Sequence, residues 1–128
     1  FISNKQRCII NISSDLGLIA PNQNIYKRKK EINFKPVSYS VVKHGIIGLT
    51  KYTSTFWNKN NIRCNAVAFG VVYRNQNKFF VKKISNLIPL GRMAQENEYN
   101  ATIIYLISDA SSYMNGTVLT IDGGRTAL

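Results

Sequence analysis

The chain has 128 residues, 17 lysines and arginines against 6 aspartates and glutamates, and a formal charge of +11, with 45% hydrophobic and 11% aromatic content. That composition describes one globular domain or part of one and excludes collagen-like, coiled-coil and disulfide-scaffold chains. No uncharged apolar stretch approaches the ~18 residues of a membrane span, and Lys5 and Arg7 are followed only by Cys8-Ile9-Ile10 before Asn11, so neither a spanning helix nor a secretion signal is expected.

Arg7 to Ser13 (RCIINIS) is a β-rich apolar run that enters a Ser-Ser-Asp-Leu-Gly turn, which predicts a buried strand delivering a functional loop. From Leu18 to Pro36 the pattern vanishes among Pro21, several asparagines and a basic run, which predicts a long surface connection. Ser38, after Pro36, reads as a helix cap. Val42, Ile46, Leu49, Thr53 and Phe56 recur at three- and four-residue spacing and predict an amphipathic helix ending at Trp57. Gly45 and Gly48 inside it predict close packing against another backbone. Asn60-Asn61 closes the helix, and Ile62 to Val67 (IRCNAV) predicts a second strand that leaves through Phe69-Gly70 into a basic, Asn-rich segment. This strand–helix–strand order is that of a parallel crossover. Glu96 and Glu98 mark the start of another helix, whose apolar face is Tyr99, Ile103, Ile104, Leu106 and Ile107. Asn115-Gly116 turns into a third strand, Thr117 to Ile121, closed by Asp122-Gly123-Gly124. The order β–loop–α–β–α–β over residues 1–128 predicts an α/β fold with a parallel sheet. Cys8 and Cys64 sit inside apolar runs and read as small hydrophobes of a reducing cytoplasm, with no disulfide or metal site expected.

Tyr39 and Lys43 are four apart at the start of the long helix, so their side chains leave one face and can reach one bound molecule. A phenol exchanges protons poorly near neutrality, with a reference pKa of about 10, and an adjacent ammonium favours its ionised form. Ser14 closes the first strand, and ligands of open α/β sheets collect at that carboxyl edge. A serine hydroxyl there would hold a carbonyl or alcohol oxygen while Tyr39 exchanges its proton. The four-residue spacing alone also fits a solvated helix face, so the context decides.

That context is a strand with Ser-Ser, a long helix beginning Tyr-Ser-Val-Val-Lys, a strand ending Asn-Ala-Val and a last strand ending Ile-Asp-Gly-Gly. Over nearly the whole chain it resembles the short-chain dehydrogenase/reductase family. Within the family, "YSVVKHGIIGLTKY", "NIRCNAV", "PLGRMA", "LISDASSYMNG", "IDGG" and the insertion "APNQNIYKRKKEINFKPVSY" look most like flagellin-modification and nonulosonate-sugar-pathway oxidoreductases. The resemblance implies a Rossmann-like doubly wound parallel sheet, represented by its three C-terminal strands with flanking helices. It also implies NAD- or NADP-dependent hydride transfer at a carbonyl or alcohol carbon of a sugar-derived small molecule, such as a nucleotide-sugar or sugar phosphate. By resemblance, Ser14 binds the substrate oxygen, Tyr39 is the acid/base, and Lys43 assists it and bonds the nicotinamide ribose. Gly70 and Val72 then belong to the loop that touches the nicotinamide, with Phe69 standing where the family usually has proline.

The glycines, at 17, 45, 48, 70, 91, 116, 123 and 124, form no Gly-rich turn for a pyrophosphate. The chain is therefore expected to be the C-terminal catalytic half of such an enzyme, its N-terminal dinucleotide half absent. NAD or NADP binding should be poor, and activity alone weak or lost. A homo-oligomer or a complementing N-terminal half is the expected partner, because an uncovered sheet edge and helix face destabilise an isolated half. The alternative is a non-catalytic remnant or interaction module pairing through the Ser38–Trp57 helix. A small basic binding protein ranks lower. Lys27, Arg28, Lys29 and Lys30 read as a solvated loop with a secondary reading as substrate-phosphate contacts. With the other basic residues mostly dispersed, and no RNA-binding strand pattern or finger spacing, neither nucleic acid nor a membrane is an expected partner. His44 reads as solvated, Tyr52 and Trp57 as core or subunit contacts, and Asp122-Gly123-Gly124 as a packing turn.

Overall fold

The structure is a computed structural model and describes residues 7–27, 33–57, 59 and 61–128. Three parallel strands, β1 (Arg7–Ser14), β2 (Ile62–Phe69) and β3 (Val118–Ile121), form one sheet in the order β1-β2-β3. The central strand is buried from Ile62 to Ala68, as a parallel strand covered on both faces must be. Its polar residues are bonded rather than exposed. Asn65 donates to the Met114 carbonyl at 2.8 Å and accepts from the Thr117 N–H at 3.0 Å, while Arg63 donates to the carbonyls of Leu106 and Met114. These bonds tie β2 to the turn that precedes β3 and offset the cost of burying polar atoms.

Helix α1 (Val37–Phe56) carries the Tyr-Lys pair. It starts one residue before the expected Ser38 cap. Pro36, with φ −60° and ψ 145°, occupies the capping position without a side-chain bond, so Ser38 is an ordinary first-turn residue. The inward face is only in part the predicted one: Ile46 and Thr53 are half-buried, and the other predicted positions are not. Thr50 and Ser54 are buried, and Asn11 Nδ2 donates to Thr50 Oγ1 at 2.9 Å. Val42, Leu49 and Phe56 point outward at 55%, 55% and 57% exposure, beside exposed Val41, Tyr52 and Trp57. A Cβ added at Gly45 or Gly48 would meet nothing within 4 Å, so the close backbone packing expected there is not made among the described residues. The helix is apolar on more than one side, and its small hydroxylated residues are the ones that approach the strands.

A helix the sequence reading passes over, α2 (Lys78–Ser85), is capped by Asn77, whose Oδ1 accepts from the Phe79 N–H at 2.9 Å. It buries Ile84 in a cluster with Ile25, Ile88 and Met93, against which Tyr26 and Phe80 pack with ring centroids 5.8 Å apart. Helix α3 (Asn100–Ile107) follows a 3-10 turn, Glu96–Tyr99, and fully buries Leu106. Ile104 and Ile107 of its predicted apolar face are exposed. On β1, Asn11 and Ser13 reach α1 whereas Cys8 donates its thiol to Leu106 of α3. Strand alternation therefore places the two helices on opposite faces of the sheet.

The start of α3 carries a testable electrostatic contact. Glu98 takes two 2.7 Å bonds from Arg92 and one of 2.7 Å from the Gln95 N–H, closing a capping box. The Arg92 hydrogen bonds, then the Gln95 N–H, bring the Glu98 carboxyl from 4.5 down to about 2. A pKa depressed by folding contributes stability above the unfolded value and loses it as pH falls through the folded one. Stability should therefore decline between about pH 4.5 and about 2, and Glu98→Gln should remove part of that decline in acid titrations followed by circular dichroism. The pair is solvent-exposed, so salt should weaken the effect.

Candidate active site

Tyr39 lies in the first turn of α1, its N–H bonded to the Pro36 carbonyl at 3.1 Å. One turn later, Lys43 brings its ammonium 5.7 Å from the Tyr39 ring centroid and donates to the Ile12 carbonyl at 3.0 Å. The Lys43 backbone carbonyl in turn accepts from Ser13 Oγ at 2.8 Å. These two bonds clamp the start of α1 onto the carboxyl end of β1. Gly17, in the 3-10 turn Asp15–Gly17, makes the clamp possible: a Cβ there would lie 2.7 Å from the Lys43 carbonyl oxygen and 2.5 Å from Ser13 Oγ.

A second ammonium, that of Lys35, sits 3.7 Å above the Tyr39 ring, within cation–π range. Its segment is held by Gln23, which accepts from the Lys35 N–H at 2.9 Å and donates to the Lys35 carbonyl at 3.2 Å. Sequence reasoning missed Lys35. It lies outside the helix, so no helical spacing pointed to it.

Ser14 is buried, at 7% exposure, and opposes Phe69 in the β1–β2 register. Its hydroxyl donates to Asp15 Oδ1 at 2.8 Å and accepts from the Leu16 N–H at 3.2 Å. No hydrogen bond joins Ser14 to Tyr39 or Lys43 among the described residues; what they share is the end of β1. Gly70 follows Phe69, donates its N–H to the Ile121 carbonyl at 2.8 Å, and has no room for a side chain, since a Cβ would lie 2.8 Å from Asp122 Cα. Val72 bridges to Ala94, and its carbonyl accepts from Gln76 at 2.8 Å. The Phe69 ring rests on Tyr99, with centroids 4.3 Å apart.

The charges around this edge are organised by two carboxylates. Asp15 forms a buried ion pair with Arg125 at 2.7 Å, the side chains 2% and 4% exposed. Burial pushes the Asp122 carboxyl up, but bonds from Thr126, Gly124 and Arg125 outweigh it and hold the group below the usual range. That is the chemistry of a packing turn, as expected for this segment. Burial pushes the Tyr26 phenol up, Arg125 opposes, and Asp15 and Tyr39 add to the rise, so Tyr26 stays protonated and shares the field of the site.

The other candidates stand apart. His44 is exposed, with Nδ1 2.9 Å from the Ser40 carbonyl. Lys27 is exposed, and Arg28, Lys29 and Lys30 lie outside the described residues. Tyr52 and Trp57 are exposed rather than in a core, and Tyr52 stacks on Phe56 at 5.4 Å. Among the described residues no group of three or more His, Cys, Asp or Glu side chains could hold a metal ion, and no helix is long and apolar enough to cross a membrane.

Comparison with known proteins finds dehydrogenases and reductases that are similar to this chain. Residues 2–126 match the family model described as enoyl-(acyl carrier protein) reductase. The chain is 39% identical over 119 residues to trans-4-hydroxycyclohexanecarboxylate dehydrogenase of Sinomonas cyclohexanicum, covering 93% of this chain and 41% of that protein. It is 31% identical to post-translational flagellin modification protein A of Campylobacter coli, covering 91% of this chain and 44% of that one. The flagellin-modification likeness is thus one among several. A crystal structure of a short-chain dehydrogenase from Leptospira borgpetersenii with bound NAD+ superposes with a TM-score of 0.84 at 33% identity, over 93% of this chain and 44% of that one. The chain spans less than half the length of each of these relatives.

Proposed function

Because the chain belongs to the short-chain dehydrogenase/reductase family, we propose that it is the C-terminal catalytic half of an NAD- or NADP-dependent oxidoreductase. The reaction is hydride transfer at a carbonyl or alcohol carbon. The observation that carries this reading is the Tyr39–Lys43 pair, one helical turn apart, with the Lys43 ammonium anchored on β1 two residues before Ser14. When bound, the nicotinamide supplies or accepts the hydride. The donor set fits that end of the cofactor. The Lys43 ammonium has three protons and spends one on Ile12, both residues are half-buried, and the Tyr39 hydroxyl makes no hydrogen bond among the described residues. In this role Lys43 reaches the ribose hydroxyls, and Gly70 and Val72 border the nicotinamide. For the pyrophosphate the sequence has no Gly-rich turn, so binding by this chain alone should be poor.

The protein's own part is proton handling. Ser14 hydrogen-bonds the substrate oxygen and Tyr39 trades a proton with it. The ammoniums of Lys35 and Lys43 beside the ring offset the charge left on the phenol oxygen. The substrate class is a sugar derivative bearing phosphate, and the setting cytoplasmic. Supporting that substrate class are the flagellin-modification relative, the +11 charge, and the Lys27–Lys30 run on the connection leading to Tyr39. The test is NAD(P)-linked turnover of sugar-derived alcohols and ketones by the purified chain, alone and with the nucleotide-binding half of a family member added. Turnover that appears or rises on adding that half supports the reading; none in either case removes it.

The exposed stripe of α1 favours a second reading, an interaction module that pairs through this helix. In either case the stripe should be covered by another chain. Leu49→Lys combined with Phe56→Lys, both at exposed positions, should shift the chain toward monomer in analytical ultracentrifugation without unfolding it.

A further inference from the structure

Strand β2 leaves the sheet through Phe69 and Gly70, and phenylalanine does not fix that exit by itself. A proline would lock φ through its own ring; phenylalanine leaves φ free, so the direction depends on what its side chain touches. The half-buried Phe69 ring lies on Tyr99, with centroids 4.3 Å apart and planes inclined by 49°. Tyr99 is 7% exposed, and its hydroxyl has no hydrogen-bond partner among the described residues. Burial, then the charges of Asp15, Glu98 and Asp122, push this phenol up, so it stays neutral. What Tyr99 offers Phe69 is the face of a ring and no polar bond.

The stretch that ends in Tyr99 grips the loop a second time. Ala94 donates to the Val71 carbonyl at 3.0 Å and accepts from the Tyr73 N–H at 2.8 Å. Between these two grips the Arg92–Glu98 fork and the Glu98 bond to the Gln95 N–H stiffen the stretch. Beneath Gly70 and Val71 lies a pocket of about 80 Å³, walled in part by Tyr99, Ile121 and Asp122, so the loop is not packed solidly from below. The Phe69 ring and the Ala94 bridge therefore flank Gly70 and bear on it from one unit. We propose that Phe69 and Tyr99 are positioning residues for the cofactor: their ring contact sets the direction in which β2 hands over to Gly70, and so holds the Gly70–Val72 loop where it borders the nicotinamide. This rests on the roles given to Gly70 and Val72 above.

The test uses the 128-residue chain and its Phe69→Ala, Tyr99→Leu and Tyr99→Phe variants, followed by amide exchange in NMR. In Phe69→Ala and in Tyr99→Leu, the Gly70, Tyr73 and Ala94 amides should exchange about tenfold faster or more, while those of Cys64 and Ala66 in β2 hold their protection. The double variant should be little worse than either single one, because both remove the same contact. Tyr99→Phe, which keeps the ring and drops the unpaired hydroxyl, should match the parent. If Phe69→Ala does not fold, Phe69→Leu decides through the same amides. Unchanged loop amides, single effects that multiply in the double variant, or Tyr99→Phe behaving as Tyr99→Leu overturns the proposal. In the two-half assay, Phe69→Ala should raise the KM for the nicotinamide cofactor about tenfold and that for the alcohol or ketone less than about twofold; equal rises in both also overturn it. Absence of turnover in the parent is the failure of the dehydrogenase reading, and the proposal falls with it. Unchanged loop amides beside intact turnover are the failure of the proposal alone.

Discussion

Tyr39→Phe is expected to reduce NAD(P)-linked turnover by about a hundred- to ten-thousand-fold, the range that loss of a positioned acid/base produces. The fold should be untouched. The Tyr39 hydroxyl makes no hydrogen bond among the described residues, so removing it orphans no partner, and the phenylalanine ring can still lie beneath the Lys35 ammonium 3.7 Å away. The backbone bond to Pro36 that starts α1 does not involve the side chain. Rates from the absorbance of reduced nicotinamide, set beside the melting temperature of the same samples, check this. A large fall in rate at constant melting temperature places the effect in proton exchange. An unchanged rate would end the assignment of Tyr39.

Gly17→Ala should do the reverse and damage the framework first. The new methyl would sit 2.7 Å from a backbone oxygen of α1 and 2.5 Å from Ser13 Oγ, separations real side chains do not tolerate. Relief requires the turn to lift away from the helix, breaking the 2.8 Å Ser13–Lys43 bond and moving the Lys43 anchor. Overpacking of this kind costs ~1–3 kcal/mol, and turnover should fall with stability because Ser14 caps the displaced turn. The same substitution at Gly48 is the control. It lies within the helix with nothing within 4 Å of an added Cβ, so it should stabilise the isolated chain by ~0.5–1 kcal/mol through helix propensity. Urea unfolding of the two variants in parallel separates the effects.

What could be read from the sequence is what depends on near neighbours. The β1 and β2 strands and the Tyr-x-x-x-Lys helix announce themselves through apolar runs and short spacings. Helix α2 did not, because its eight residues include three lysines that mask the spacing of Phe79, Phe80, Val81 and Ile84. The face of α1 was legible only in part, at Ile46 and Thr53, for a different reason. Periodicity shows that a helix has an apolar side and not what that side touches, and here Thr50 and Ser54, poor hydrophobic markers, are the buried contacts. The Asp15–Arg125 pair has no local signature, since its members are 110 residues apart. Lys35 over Tyr39 depends on how a coil segment is pinned by Gln23, which no pattern encodes.

The route from the chain's tail to β1 gives the last residues an importance their position hides. A proteolytic cut between Gly124 and Arg125 would delete the cation that neutralises Asp15 and strand a negative charge beside Ser14, far from the scission in sequence. Preparations should therefore be checked by intact-mass spectrometry for ragged tails, and affinity tags fused after the exposed Leu128 need a spacer that leaves Arg125 seated.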